Sequence, residues 1–208
     1  AVALTDVNTV DTAAGLAIVA ASQWNDSSSN GNHLTQAEQA RQLVYRRTVL
    51  NGCPGFVSDG ADDRMALTTA LTAPYLLLSV SKTMIALAGT RTLFASSTQN
   101  RSLFTQNHIP QFIHTQPNLV GTETLAQQQQ PTIHAVYSVT GDRRLYRNSA
   151  VAIATDANLS DAQGISVLND NGNSEYGQNA YGDIVICSAL PSPSDLDRLF
   201  RFESQEYG

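Results

Sequence analysis

The chain has 208 residues, of which 42% are hydrophobic and 14% charged, with a formal net charge of −6 at pH 7. That length can bury a sizeable core, and so little charge excludes an intrinsically disordered polypeptide. Eleven arginines and a single lysine, Lys82, form no basic stripe, which excludes binding to a nucleic-acid phosphate backbone as the main function.

In chain order, the first apolar run is AAGLAIVAA, 13–21. Asp6 and Asp11 precede it rather than Lys or Arg, and it is too short to span a bilayer. Neither an export signal nor a membrane segment is expected there. The stretch QWNDSSSNGNHLTQ, 23–36, follows with the only tryptophan, Trp24. As a binding loop it would offer an indole face with Asn25, Asp26, Asn30, Asn32 and His33 to a sugar. As a turn, Asp26 and Asn30 would accept nearby backbone N–H groups, Gly31 would take positive φ, and Trp24 would fill core. The turn is the preferred reading. TQAEQARQL, with Thr35 and Glu38 at capping-box spacing, is a candidate helix, although the strand-like LVYRRTVL follows at once.

SDGADD brings Asp59, Asp62 and Asp63 together. A polar turn paired with Arg64 is preferred, and Ca²⁺ is the alternative, since three carboxylates can begin an oxygen shell. APYLLLSVSKT, 73–83, reads as an apolar strand passing into alternation. PTIHAVYSV, 131–139, alternates, with Ile133, Ala135 and Tyr137 on one face and His134, Val136 and Ser138 on the other. RRLYRNSAVAIA, 143–154, reads as two short strands about Asn148–Ser149. Arg143, Arg144 and Arg147 are expected on a solvated hairpin. GDIVICSAL, 182–190, is a further apolar strand, in which Cys187 acts as a small hydrophobe and is expected to stay a thiol, as is Cys53.

LNDNGNSEYGQNAYGD, 168–183, is the richest loop and the expected binding site, carrying Asp170, Asn171, Asn173, Glu175, Tyr176, Gln178, Asn179 and Tyr181. Exposed tyrosines with amides suit sugar hydroxyls and protein partners alike. A closing helix is expected over 194–206, capped by Ser194 with Asp197, and Leu196, Leu199 and Phe200 would share a face. His108, His114 and His134 lack the spacing of a metal site.

Read in order, WNDSSSNGNHLTQ, NGCPGFVSDGADDRMAL, YLLLSVSK, RRLYRNSAVA and YGDIVICSALPSPSDLDRLFRF resemble the concanavalin A-like, laminin-G-like domains of bacterial and phage surface proteins. The resemblance covers roughly 13–206 of a single domain, 1–208. Ser29 departs from the family's glycine, and Asn148–Ser149 replaces an Asn-Gly turn. The resemblance implies an all-β fold, two antiparallel sheets packed as a jelly-roll sandwich, with a short C-terminal helix. It also implies a lectin-like module more often than an enzyme.

None of the five glutamates, Glu38, Glu123, Glu175, Glu203 and Glu206, falls in the paired-carboxylate strand of a glucanase, so no catalysis is expected. No cofactor is expected, with calcium the one ion the pattern admits. The expected role is a virion surface component, decorating a capsid or tipping a fibre. Its expected partners are host glycans or other virion subunits, with no nucleic acid and no membrane, and it is expected to act as a homo-oligomer. The alternative is a carbohydrate-binding module of a secreted bacterial enzyme or adhesin.

Overall fold

The structure is a computed structural model that describes residues 7–11, 18–28, 30–72, 74–85, 91–95, 101–106, 109–114, 119–122, 124–139, 141–157, 165–168 and 176–208. In chain order the first strands are β1 (Val7–Asp11), β2 (Ile18–Ala21), β3 (Gln23–Trp24), β4 (Leu34–Thr35), β5 (Val44–Leu50), β6 (Cys53–Val57), β7 (Met65–Leu71) and β8 (Tyr75–Thr83). Then come β9 (Arg91–Ala95), β10 (Arg101–Gln106), β11 (Ile109–His114), β12 (Leu119–Thr122) and the short helix α1 (Leu125–Gln128). The chain continues with β13 (Thr132–Val139), β14 (Asp142–Arg147), β15 (Ala152–Asp156), β16 (Ile165–Leu168), β17 (Asn179–Cys187) and α2 (Pro193–Tyr207).

These strands make two antiparallel sheets packed as a jelly-roll sandwich. One has nine strands in the order β1-β2-β5-β6-β17-β8-β13-β14-β15, the other eight in the order β12-β11-β10-β9-β16-β7-β4-β3. Between them lies a core in which Leu77, Val136, Leu145 and Tyr181 of the first sheet meet Leu34, Met65, Phe94 and Leu168 of the second. A second cluster lies on the outer face of the nine-stranded sheet. There Leu76, Leu78, Val80, Ile133 and Ala135 are covered by Leu196, Phe200 and Tyr207 of α2. β8 is therefore buried on both faces, which is why it reads as YLLL rather than as clean alternation. β13 divides as its alternation predicts, with Ile133 and Ala135 toward the helix and Val136 toward the other sheet.

Three local expectations are corrected. The N-cap of α2 is Ser192, whose Oγ accepts from the Asp195 N–H at 3.2 Å, with Pro193 opening the helix. Ser194 and Asp197 lie two residues too late for that role. Thr35 and Glu38 cap no helix: Leu34 and Thr35 pair with both β3 and β7, leaving only a single 3₁₀ turn at Gln39–Arg41. Burial of Leu43 between the sheets, and the Gln42 amide donating to the Gln36 carbonyl at 2.9 Å, outweigh the local helix preference. Arg143 is not a surface residue. It is 1% exposed and ion-paired with Asp156, while Arg144 is held by Asp142 through two hydrogen bonds of 2.8 and 2.6 Å.

Asn51 and Gly52 both take positive φ between β5 and β6, the backbone of a two-residue hairpin turn. Cys53 already belongs to β6 and donates its thiol to the Glu206 carbonyl, and both cysteines are free. Among the described residues, no helix is long and apolar enough to cross a membrane.

Candidate functional site: a notch beside β17

Pairing between β17 and β6 is short. Ala180 faces Val57 and Tyr181 faces Phe56, and the ladder ends there. On its other side β17 stays paired with β8 as far as Cys187, through a bulge between Tyr181 and Ile184. The extra residue bends the strand away from β6. Gly182 sits at the bend, where a Cβ would stand 2.8 Å from the Tyr207 ring, so only glycine lets the helix end close over the strand. Burial changes at the same point: residues 179–182 are buried and 183–187 are half-buried. The nine-stranded sheet thus has a notch along one edge of β17.

The wall facing this notch is the turn between β3 and β4. The Asp26 carboxylate accepts from the Ser28 N–H at 2.7 Å, the Ser28 hydroxyl at 2.7 Å and the Asn32 N–H at 2.9 Å. The Asp26 N–H donates to His33 Nδ1 at 3.0 Å, and Gly31 takes φ +70°. These bonds, the Ser28 hydroxyl first, hold the Asp26 carboxyl below its usual pKa. Trp24 is 6% exposed and lies against Phe56 with ring centroids 4.4 Å apart. It is a core residue that anchors the turn, not an exposed platform.

Turn, strand and helix enclose a cleft of about 410 Å³. Its polar groups include Asn25, Asp26, Asn30, Asn32 and Asp183, and its apolar walls include Leu34, Leu67, Ile184 and Leu199. Phe202 stands at the rim, 59% exposed. Glu203 lies at the base and is 1% exposed, with Oε2 lacking a hydrogen-bond partner among the described residues. Burial first, and then the charges of Asp183 and Glu206, push its carboxyl up to about 7. A second cavity of about 580 Å³ adjoins the first, sharing Asn30, Asn32 and Ile186 and continuing past Cys187 to Pro191.

The site expected at 168–183 is described only in part. Asp170, Asn171, Asn173 and Glu175 lie outside the described residues. Tyr176 is half-buried and forms a lone bridge with Thr92, and Gln178 holds the Met84 N–H through its backbone carbonyl at 2.8 Å. Asn179 and Tyr181 are corrected from exposed binders to core residues. Tyr181 is 0% exposed, its ring meets Phe94 between the sheets, and its hydroxyl accepts from the Asn179 amide at 3.1 Å. The alternation of β17 points Tyr181 inward, so it has no face left for a ligand.

Asp59, Asp62 and Asp63 do come together, with carboxylate oxygens within 4.8 Å of one another. Burial first, then the charges of Asp59 and Asp62, raise the Asp63 carboxyl to about 7, although the Asp59 N–H donates to it at 2.8 Å. Asp59 accepts from the Ala61 N–H at 2.8 Å. Arg41 is a cationic partner of Asp62, at 3.4 Å.

Sequence reasoning missed Asp183, Phe202 and Glu203 as site residues. Glu203 was within reach: with Leu196, Phe200 and Tyr207 it completes the buried face of α2, and a carboxylate on an apolar helix face is a signal.

No protein-family model and no curated protein sequence matches the chain. Solved structures do. Domain 4 of AbnA, an extracellular GH43 arabinanase from Geobacillus stearothermophilus solved with arabinotriose, superposes with a TM-score of 0.54 at 14% identity, over 76% of this chain and 81% of that one. A GH54 α-L-arabinofuranosidase gives 0.59 at 14% identity, over 92% of this chain and 52% of that one. The binding domain of Paraclostridial Mosquitocidal Protein 1 gives 0.60 at 11% identity, over 85% and 49%. The chain therefore spans most of the arabinanase domain but only about half of each of the other two. At such identities the likeness shows the fold, a two-sheet β-sandwich.

Proposed function

We propose that this chain is a non-catalytic, glycan-binding β-sandwich of the laminin-G-like kind. The observation that carries the proposal is the notch beside β17. There amides and a carboxylate from Asn25, Asn30, Asn32 and Asp183 stand against apolar walls under an exposed Phe202. Amides and carboxylates bond sugar hydroxyls, apolar walls take the C–H faces, and the volume lies within the roughly 300–1,000 Å³ of ligand sites. The similarity to an arabinanase domain solved with arabinotriose supports a saccharide as the ligand class. The module would be displayed outside the cell, on a virion surface among neighbouring subunits or beside a secreted enzyme or adhesin; the sequence resemblance is the support for either setting.

A glycan array containing arabino-, xylo- and cello-oligosaccharides tests this at pH 7. Specific binding weakened by Asn32→Ala and Asp183→Ala is expected, and an array silent for the wild type would overturn it. Glycoside hydrolysis is the alternative favoured by one observation, the sharing of a cleft by Asp183 and the high-pKa Glu203, an acid and base pairing known from glycosidases. Burial of Glu203 on the packed face of α2 weighs against it, since a scissile oxygen would have to reach a carboxyl that is 1% exposed while the helix stays docked. Turnover of aryl glycosides, abolished by Glu203→Gln, would establish the hydrolase instead.

A further inference from the structure

The two cavities are one groove with a common floor. The first is lined by β17 from Asp183 to Ile186, and the second takes over from Ile186 and runs to Pro191. Asn30 and Asn32 line both, so the turn forms a saddle between them. The floor is β17 as far as Cys187, with no described strand paired on the groove side past Tyr181, followed by a bend at Ser188 and Ala189. At about 3.3 Å per residue, the strand part of the floor, Asp183 to Cys187, is already longer than one sugar ring. A site for a single terminal sugar would be a closed pit. This one runs along a strand and into a second cavity.

Resting on the glycan reading, we propose that the groove binds a linear oligosaccharide lengthwise. One subsite lies at Asp183 and Phe202. The Asn30 and Asn32 amides straddle the linkage at the saddle. A second subsite lies over Thr72, Ser188 and Ala189, which are exposed. The chemistry is that of a neutral polyhydroxylated chain. The polar groups named at the saddle and the first subsite are amides and a carboxylate, so an acidic glycan is disfavoured by Asp183.

The test is calorimetric titration of the wild-type protein with arabino-, xylo- and cello-oligosaccharides of increasing length, beginning with the monosaccharide. For the responding series, affinity should rise by at least about tenfold between one unit and four, as a second occupied subsite requires. Ala189→Trp, which fills the second cavity, should remove that gain. Thr72→Trp blocks the same cavity from the other side and serves if the first variant folds poorly. Equal affinity for short and long chains, unaffected by either tryptophan, would overturn the lengthwise site and leave the glycan reading standing. Silence of every series in the wild type would remove both. Tight binding of an extended peptide along β17 with no response to any saccharide would also overturn both, in favour of strand addition.

Discussion

Replacing Glu203 with Gln isolates the cost of a buried carboxyl. The folded protein holds Glu203 at a pKa of about 7, against 4.5 for the free group. The native state therefore keeps a proton that the unfolded chain gives up in that interval. Stability from this group is fully present below about 4.5 and is lost as pH rises toward 7. With the side chain 1% exposed, solvent screening is slight, and the loss amounts to roughly 3 kcal/mol by pH 8. Asp63, also buried and raised to about 7, adds a loss of the same sign, so the wild-type slope has two sources. Glu203→Gln should remove one of them. Urea denaturation followed by Trp24 fluorescence between pH 5.5 and 8.5 gives the readout. The variant should gain on the wild type as pH rises, by on the order of 2 kcal/mol across the range. Asp183→Asn, which removes the neighbouring charge that raises Glu203 most, should flatten the slope partly. A difference between wild type and Glu203→Gln that is the same at both ends would refute the buried, proton-holding carboxyl.

Gly182→Ala should push a methyl into the Tyr207 ring, lift the helix end and cost about 1–3 kcal/mol, read as a lower melting temperature. An unchanged temperature would mean that the helix end does not close on β17. Ser192→Ala should cost about 1 kcal/mol and Ser194→Ala much less, which chemical denaturation can separate. Calcium should leave the melting temperature unchanged, because Asp59, Asp62 and Asp63 are already engaged by backbone N–H groups and Arg41; a rise abolished by Asp63→Asn would establish a calcium site.

The sandwich was legible because its central strands carry burial in their composition. The apolar runs of β8 and β17 and the alternation of β13 follow from which faces are covered, and Asn148 marks its turn with φ +52°. The closing helix was legible from Leu196 and Phe200, yet its start was misjudged by one cap because Pro193 at the first helical position was not weighed. The false helix at Thr35 shows the limit of local signals: its first residues join β3 and β7, partners distant in sequence. The cleft was hidden for the same reason. Asp183 and Glu203 meet the Asn30 turn only because the β6 ladder stops at Tyr181, and no residue near Asn30 encodes that register.

The placement of α2 has a consequence for synthesis. The helix covers Leu76, Leu78, Ile133 and Ala135 with residues made after every strand. Asn51 donates to the Tyr207 carbonyl and Cys53 to the Glu206 carbonyl, so the β5–β6 hairpin is also tied to that segment. Until residues 193–207 dock, the nine-stranded sheet presents a greasy outer face. Folding of this kind, dominated by long-range contacts, is slow and exposed to aggregation. Holding the nascent chain at low temperature, or supplying a chaperone that shields that face, should raise the soluble yield without altering the folded product.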